Sequence, residues 1–218
     1  MKKYFLSVVF LVFTSSIFAQ HGNRDGNRIG ISGGISQSSL FTSNFDAKPG
    51  IGFAGGFSVR GNYYNDFSMI FGMQFFYNTF SLETTSVSLA KKDTEFSVSG
   101  AQVRLLLSYN IVKDHVSLDF GPVLQVNGKM GVQEADETNI INGTLLQAKQ
   151  IEDITKINGN LYFGVSAGNR LVRAVVFYQY GVNNILNNLN KESSLKTLNG
   201  GDFKGNIGTV NAQVLFNL

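Results

Sequence analysis

The sequence predicts an all-β fold, an eight-stranded antiparallel transmembrane β-barrel wound as an up-and-down meander. Three observations carry this reading. About eight segments alternate apolar residues with small or polar ones, an even number within the range that closes into an outer-membrane barrel. Their connections alternate between short and long. The final strand carries Phe216 and Leu218 on its apolar face at the end of the chain, as expected of a strand that closes on the first and leaves no edge exposed to lipid.

Before the first strand, MKKYFLSVVFLVFTSSIFAQ combines Lys2 and Lys3, an apolar run from Tyr4 to Phe13 and small residues ending at Ala19. This reads as a secretory signal peptide over residues 1–19, its apolar run too short for a membrane-spanning helix. Residues 20–27 form a polar lead-in, and 28–218 the barrel. The chain carries a formal charge of +3, but removing the signal takes two lysines and no acid, leaving 16 basic side chains against 15 acidic. With no clustered basic face, nucleic acid is excluded as a partner. The absence of cysteine excludes disulfides and a lipid-anchored cysteine, and the 24 Gly and 19 Phe suit long aromatic-rich strands with tight packing.

Strand one, about Arg28 to Gln37, sets Ile29, Ile31 and Ile35 against Gly30, Ser32, Gly34 and Ser36. Strand two, Gly50 to Arg60, sets Ile51, Phe53, Phe57 and Val59 against Gly52, Ala54, Gly56, Ser58 and Arg60. Strand three, Phe67 to Leu82, has Phe67, Met69, Phe71, Met73, Phe75 and Tyr77 on one face. Strands four and five form the hairpin Ala101 to Val126 around a turn at Lys113-Asp114, a register that places Asp119 opposite Ser108 and Arg104 opposite Val123. Pro122 calls for a bulge or an unbonded rung at Gly121-Pro122. Strand six, Asn160 to Gly168, and strand seven, from about Arg173 to Val182, flank a turn near Asn169-Arg170, and strand eight begins near Ile207.

Alternation alone leaves open which face meets lipid, since a soluble barrel would bury its apolar set. Connection lengths, bulk and the terminal strand orient it apolar-out. The long links are expected at Ser38 to Pro49, Glu83 to Glu95, Gly128 to Ile157 and Asn183 to Asn206, the extracellular loops of such a barrel. Phe67, Phe71 and Phe75 would crowd a narrow interior that the glycines of strands one and two fit. Tyr64, Phe67, Tyr109 and Phe216 form an expected aromatic girdle at the short-turn end, with Tyr77, Phe80 and Tyr180 at the other.

Lys48-Pro49-Gly50 with Gly52 and Gly55, Asp66-Phe67-Ser68, Leu118-Asp119-Phe120-Gly121-Pro122 and Tyr178-Gln179-Tyr180-Gly181-Val182-Asn183-Asn184-Ile185 together resemble the PorT-like outer-membrane β-barrel proteins. One position departs: the family often has Arg before the Tyr of the last motif, where this chain has Phe177. The resemblance implies an eight-stranded barrel in the outer membrane, and its namesake assists a system that exports proteins across that membrane.

The residues of interest inside are Arg60, Arg104, Arg173 and Asp119, the only interior acid on the strands, read as hydrogen-bonded filling rather than a polar relay. In the long loops, Glu134, Asp136 and Glu137 are candidates for cation binding, partner contact or a solvated face, and Ile185, Leu186 and Leu189 for partner docking or a barrel lid. His21 and His115 lack partners for catalysis, so no enzyme and no cofactor is expected. The expected role is structural or interactive, with the lipid bilayer and other outer-membrane or secretion-machine proteins as partners. The alternative is a narrow or gated channel.

Overall fold

The computed structural model describes residues 28–218; the expected signal peptide and lead-in lie outside them. The long strands are β1 (Arg28–Thr42), β2 (Ala47–Tyr64), β3 (Phe67–Thr85), β4 (Lys91–Val112), β5 (Val116–Val132), β7 (Ile157–Gly168), β8 (Val172–Gly181) and β9 (Gly205–Asn217). Every neighbouring pair is antiparallel, and pairing of β9 with β1 and of β2 with β3 closes a ring of 8 strands. A two-residue strand, β6 (Ile140–Ile141), extends from the top of β3, and the last connection carries one helix, α1 (Ser193–Asn199).

Closure leaves a belt of uncharged side chains around the outside. Ile35, Ile51, Phe53, Phe75, Leu161 and Phe163 are each at least 60% exposed, far more apolar surface than a water-facing domain presents. Such a belt requires a bilayer, and in a closed barrel the strands cross it with every ladder bond satisfied. Tyr64 and Tyr109 mark the short-turn edge of the belt and Tyr180 the other.

The turns at the lower end are tight. Asn65 and Asp114 adopt left-handed backbone there, which short polar side chains tolerate. The hairpin around Asp114 keeps the expected register, Ser108 opposite Asp119 and Arg104 opposite Val123. The second of the two expected irregularities occurs at Gly121-Pro122: no bulge forms, the register being continuous, but the ladder to β4 skips these two residues between Arg104/Val123 and Leu107/Phe120, and the register shifts lie at Val98/Gly100 and Asn110/Val112.

The upper end differs from the expected loops. β1 and β2 continue to a connection at 43–46, and β3 and β4 to one at 86–90, so two of the four long links are strand pairs projecting above the bilayer. The 19 and 22 residues of β3 and β4 exceed what a membrane crossing needs. Only 133–156 and 182–204 are long connections. Above the lipid the pattern inverts: Glu83 and Glu95 face out while Phe80, Leu82, Phe96 and Val98 are buried inside. Phe80 therefore belongs to no girdle; it is 1% exposed and stacks on Phe96 at 6.1 Å.

Candidate functional site

Within the membrane crossing the charge is gathered in the interior, which is built in layers from the short-turn end upward. The floor is clamped by Asp114, whose carboxylate accepts from Arg28 of β1 at 2.5 Å and from Arg170 of the β7–β8 turn at 2.7 Å. Its backbone carbonyl accepts from Arg173 at 3.0 Å. The hydrogen bond from Arg28, with a smaller contribution from Arg170, holds the Asp114 carboxyl down at about 2.

Just above, Asp119 Oδ1 accepts hydrogen bonds from Ser108 at 2.5 Å and Ser117 at 3.0 Å. Its ionic partner is Arg60, at 3.5 Å, which also donates to Ser108 at 2.7 Å. Arg60 reaches it from β2, a strand that does not neighbour β5, so the pair crosses the lumen. Arg173 donates to Ser166, whose hydroxyl meets that of Ser117 at 2.7 Å, so the serines join the two arginine groups.

Arg104 forms no ion pair with Asp119. It is 5% exposed, and its guanidinium carbon lies 5.8 Å and 5.7 Å from the ring centres of Tyr162 and Phe177. Those rings stack on each other at 4.5 Å within an apolar collar that includes Leu106, Val123 and Leu215. Gly72 admits the arginine, because a Cβ there would lie 2.8 Å from Arg104 Nε. Phe177 and Tyr162 thus offer Arg104 a π face in place of a carboxylate.

Above the collar a glutamine layer crosses the lumen. Gln74 donates to Gln213 at 2.8 Å and accepts from Gln102 at 3.2 Å; Gln179 donates to Gln102 at 2.9 Å and to Gln125 at 3.1 Å; Asn160 donates to Gln125 at 2.7 Å. These bonds tie β9 to β3 and β8 to β4, which share no ladder. Each amide offers both donor and acceptor, so a ring of them satisfies itself without water. Sequence reasoning places these glutamines inward yet gives them no role. Their recurrence on the inward faces of β3, β4, β5, β8 and β9 is the signal that could have found them.

The top is closed by a second apolar core. Ile185, Leu186 and Leu189 are 4%, 1% and 2% exposed and pack with Leu146, Ile151, Ile154, Phe203 and the inverted upper strands. They pack into the lid's interior rather than on its outer surface; apolar residues in a loop above the bilayer gain more by burial than by display. Within the same lid, Gln147 and Gln150 cap a short 3-10 turn at Ala148–Ile151 reciprocally.

The acidic trio does not converge. Asp136 is buried and pairs with Lys92 at 2.7 Å, whereas Glu137 pairs with Lys149. Among the described residues no group of three or more histidines or acids is placed to hold a metal ion. His115 is exposed, its Nδ1 2.9 Å from the Lys113 carbonyl.

With this geometry in place, comparison with solved structures defines the class. Neisserial surface protein A aligns with a TM-score of 0.50 at 14% identity, over 88% of this chain and 98% of that one. Ail, the attachment invasion locus protein of Yersinia pestis, solved with the heparin analogue sucrose octasulfate, aligns with a TM-score of 0.47 at 14% identity, over 88% and 99%. The outer membrane protein OprG from Pseudomonas aeruginosa gives 0.46 at 8% identity, over 89% and 97%. No family model and no curated protein sequence matches the chain. The closed ring, the lipid belt and the neisserial likeness make this a small eight-stranded barrel of the outer-membrane class.

Proposed function

We propose that the protein is a non-enzymatic anchor of the outer membrane, which holds a folded surface of loops outside the bilayer for a protein partner. In the manner of the PorT-like proteins it resembles, that partner belongs to a protein-export machine, and residues 1–19 direct the chain through the inner membrane before cleavage. The carrying observation is the filled lumen. The glutamine bonds cross it side to side, and the lid core lies above them. A barrel packed in this way supplies a rigid mount rather than a path.

The surface available to a partner includes the tip of the β3–β4 hairpin, with Val87 and Leu89 more than 80% exposed, and Leu145 of the 133–156 connection, 72% exposed. These stand clear of the lipid belt, where apolar exposure has no bilayer to account for it. Affinity purification from membranes tests the proposal, comparing the intact protein with a Val87→Ser/Leu89→Ser variant and with a shortened 133–156 connection. Co-purification of a secretion component with the intact protein and its loss in the variants is expected; a barrel recovered alone would refute the reading. Steady single-channel openings of the purified protein in planar bilayers would instead favour the narrow channel.

A further inference from the structure

The floor holds more positive charge than its own acid balances. The Asp114 carboxylate is taken by Arg28 and Arg170, so Arg60, Arg104 and Arg173 stand against the remaining carboxylate, Asp119, which is already engaged by Arg60, Ser108 and Ser117. Arg104 and Arg173 are 5% and 3% exposed, and a guanidinium holds its proton in any protein environment. The usual escape of a buried charge, neutralisation, is closed to both. Arg104 Nε and Nη1 and Arg173 Nε have no hydrogen-bond partner, and neither arginine has a carboxylate within ion-pair distance among the described residues. The two aromatic rings offset part of the charge of Arg104 but accept none of its in-plane N–H groups. A buried ion left in this state is strongly unfavourable unless a counter-charge enters.

Space for one exists. A cavity of about 20 Å³ is lined by Arg60, Arg104, Asp119, Tyr162 and Ser166. This is room for one sphere of about the size of water or a halide, and too little for a phosphate or a carboxylate-bearing molecule. A second cleft, of about 230 Å³, opens at the short-turn end between Arg28, Arg60, Lys113, Asp114 and Arg173. The two share Arg28 and Arg60. The outer cleft carries four cations, Arg28, Arg60, Lys113 and Arg173, against two acids, Asp66 and Asp114; this net positive charge concentrates small anions and makes it a vestibule to the inner cavity.

We propose that the inner cavity is a binding site for one monatomic anion of the chloride class, admitted from the short-turn end and required for the stability of the closed barrel.

The test is thermal unfolding of the purified full-length barrel in detergent, at constant ionic strength, as sodium chloride or bromide replaces sodium gluconate, whose anion exceeds the cavity. Binding predicts a saturable rise in the unfolding temperature, of roughly 3–6 °C for each tenfold increase in halide beyond the dissociation constant. Arg104→Met, which keeps the stem against the rings and removes the charge, should abolish the halide dependence. Equal melting of the unaltered protein in halide and gluconate, or an undiminished halide effect in Arg104→Met, would overturn the proposal. Should the variant fail to fold, crystals of the unaltered barrel grown in bromide decide: an anomalous peak between Arg60 and Arg104 supports the site, and a cavity without one, filled by water alone, refutes it.

Discussion

Asp119 shows what the chain reveals residue by residue and what it hides. The turn at Lys113-Asp114 is legible, and from it the facing of Asp119 with Ser108 follows by counting rungs. Its ionic partner is not, because ladder arithmetic relates only neighbouring strands, while Arg60 arrives from across the lumen. Asp119→Asn keeps the shape but leaves Arg60 without its carboxylate, and removing one member of a buried pair costs about 3–5 kcal/mol. The folded, fast-migrating form on unboiled gels should therefore be lost at a clearly lower temperature; an unchanged transition would refute the structural role. Asp114 allows a second test. Its carboxyl sits at about 2 against an ordinary 3.8, so the clamp's contribution is complete above that ordinary value and drains away as pH falls through about 2. Acid titration of the unfolding temperature should show a decline in this window that is smaller in Asp114→Asn, a substitution that also tolerates the left-handed turn.

At the scale of elements, each strand is legible over the span that lipid polices and illegible beyond it. Between Phe67 and Tyr77 every second residue of β3 must be apolar on the outside, and the pattern is unbroken. Past the bilayer the outer face meets water, the apolar residues move to the inner face, and Phe80 and Leu82 read as the end of a strand when they are its continuation. The same inversion obscures the lid: from the chain alone the apolar residues of 182–204 serve a docking surface or a lid equally well, until the upper strands supply a matching core. Leu186→Ala opens a cavity in that core and should cost the lid about 2–5 kcal/mol. Limited proteolysis of intact vesicles should then cut within 133–156 or 182–204, while the barrel below keeps its heat-modifiable migration. Resistance equal to that of the unaltered protein would mean that the lid is not a cooperative unit.

For the whole molecule, the belt sets a depth scale. A lysine at Phe71, midway along the crossing, should destabilise the barrel by about 2–4 kcal/mol, and one at Tyr64, beside the lower turn, by at most about 1 kcal/mol. Unfolding in lipid vesicles measures both, and equal penalties would contradict the apolar-out orientation. The Asp114 clamp has a consequence of another kind. It unites the first residue of β1, the turn between β4 and β5 and the turn between β7 and β8; the two turns come together with the β5–β7 ladder, but Arg28 reaches them only once the last strand has found the first. The clamp is thus completed late in the history of each molecule: while the sheet is still open Arg28 waits apart, and its arrival at a carboxylate already held by Arg170 fastens a cylinder that has closed.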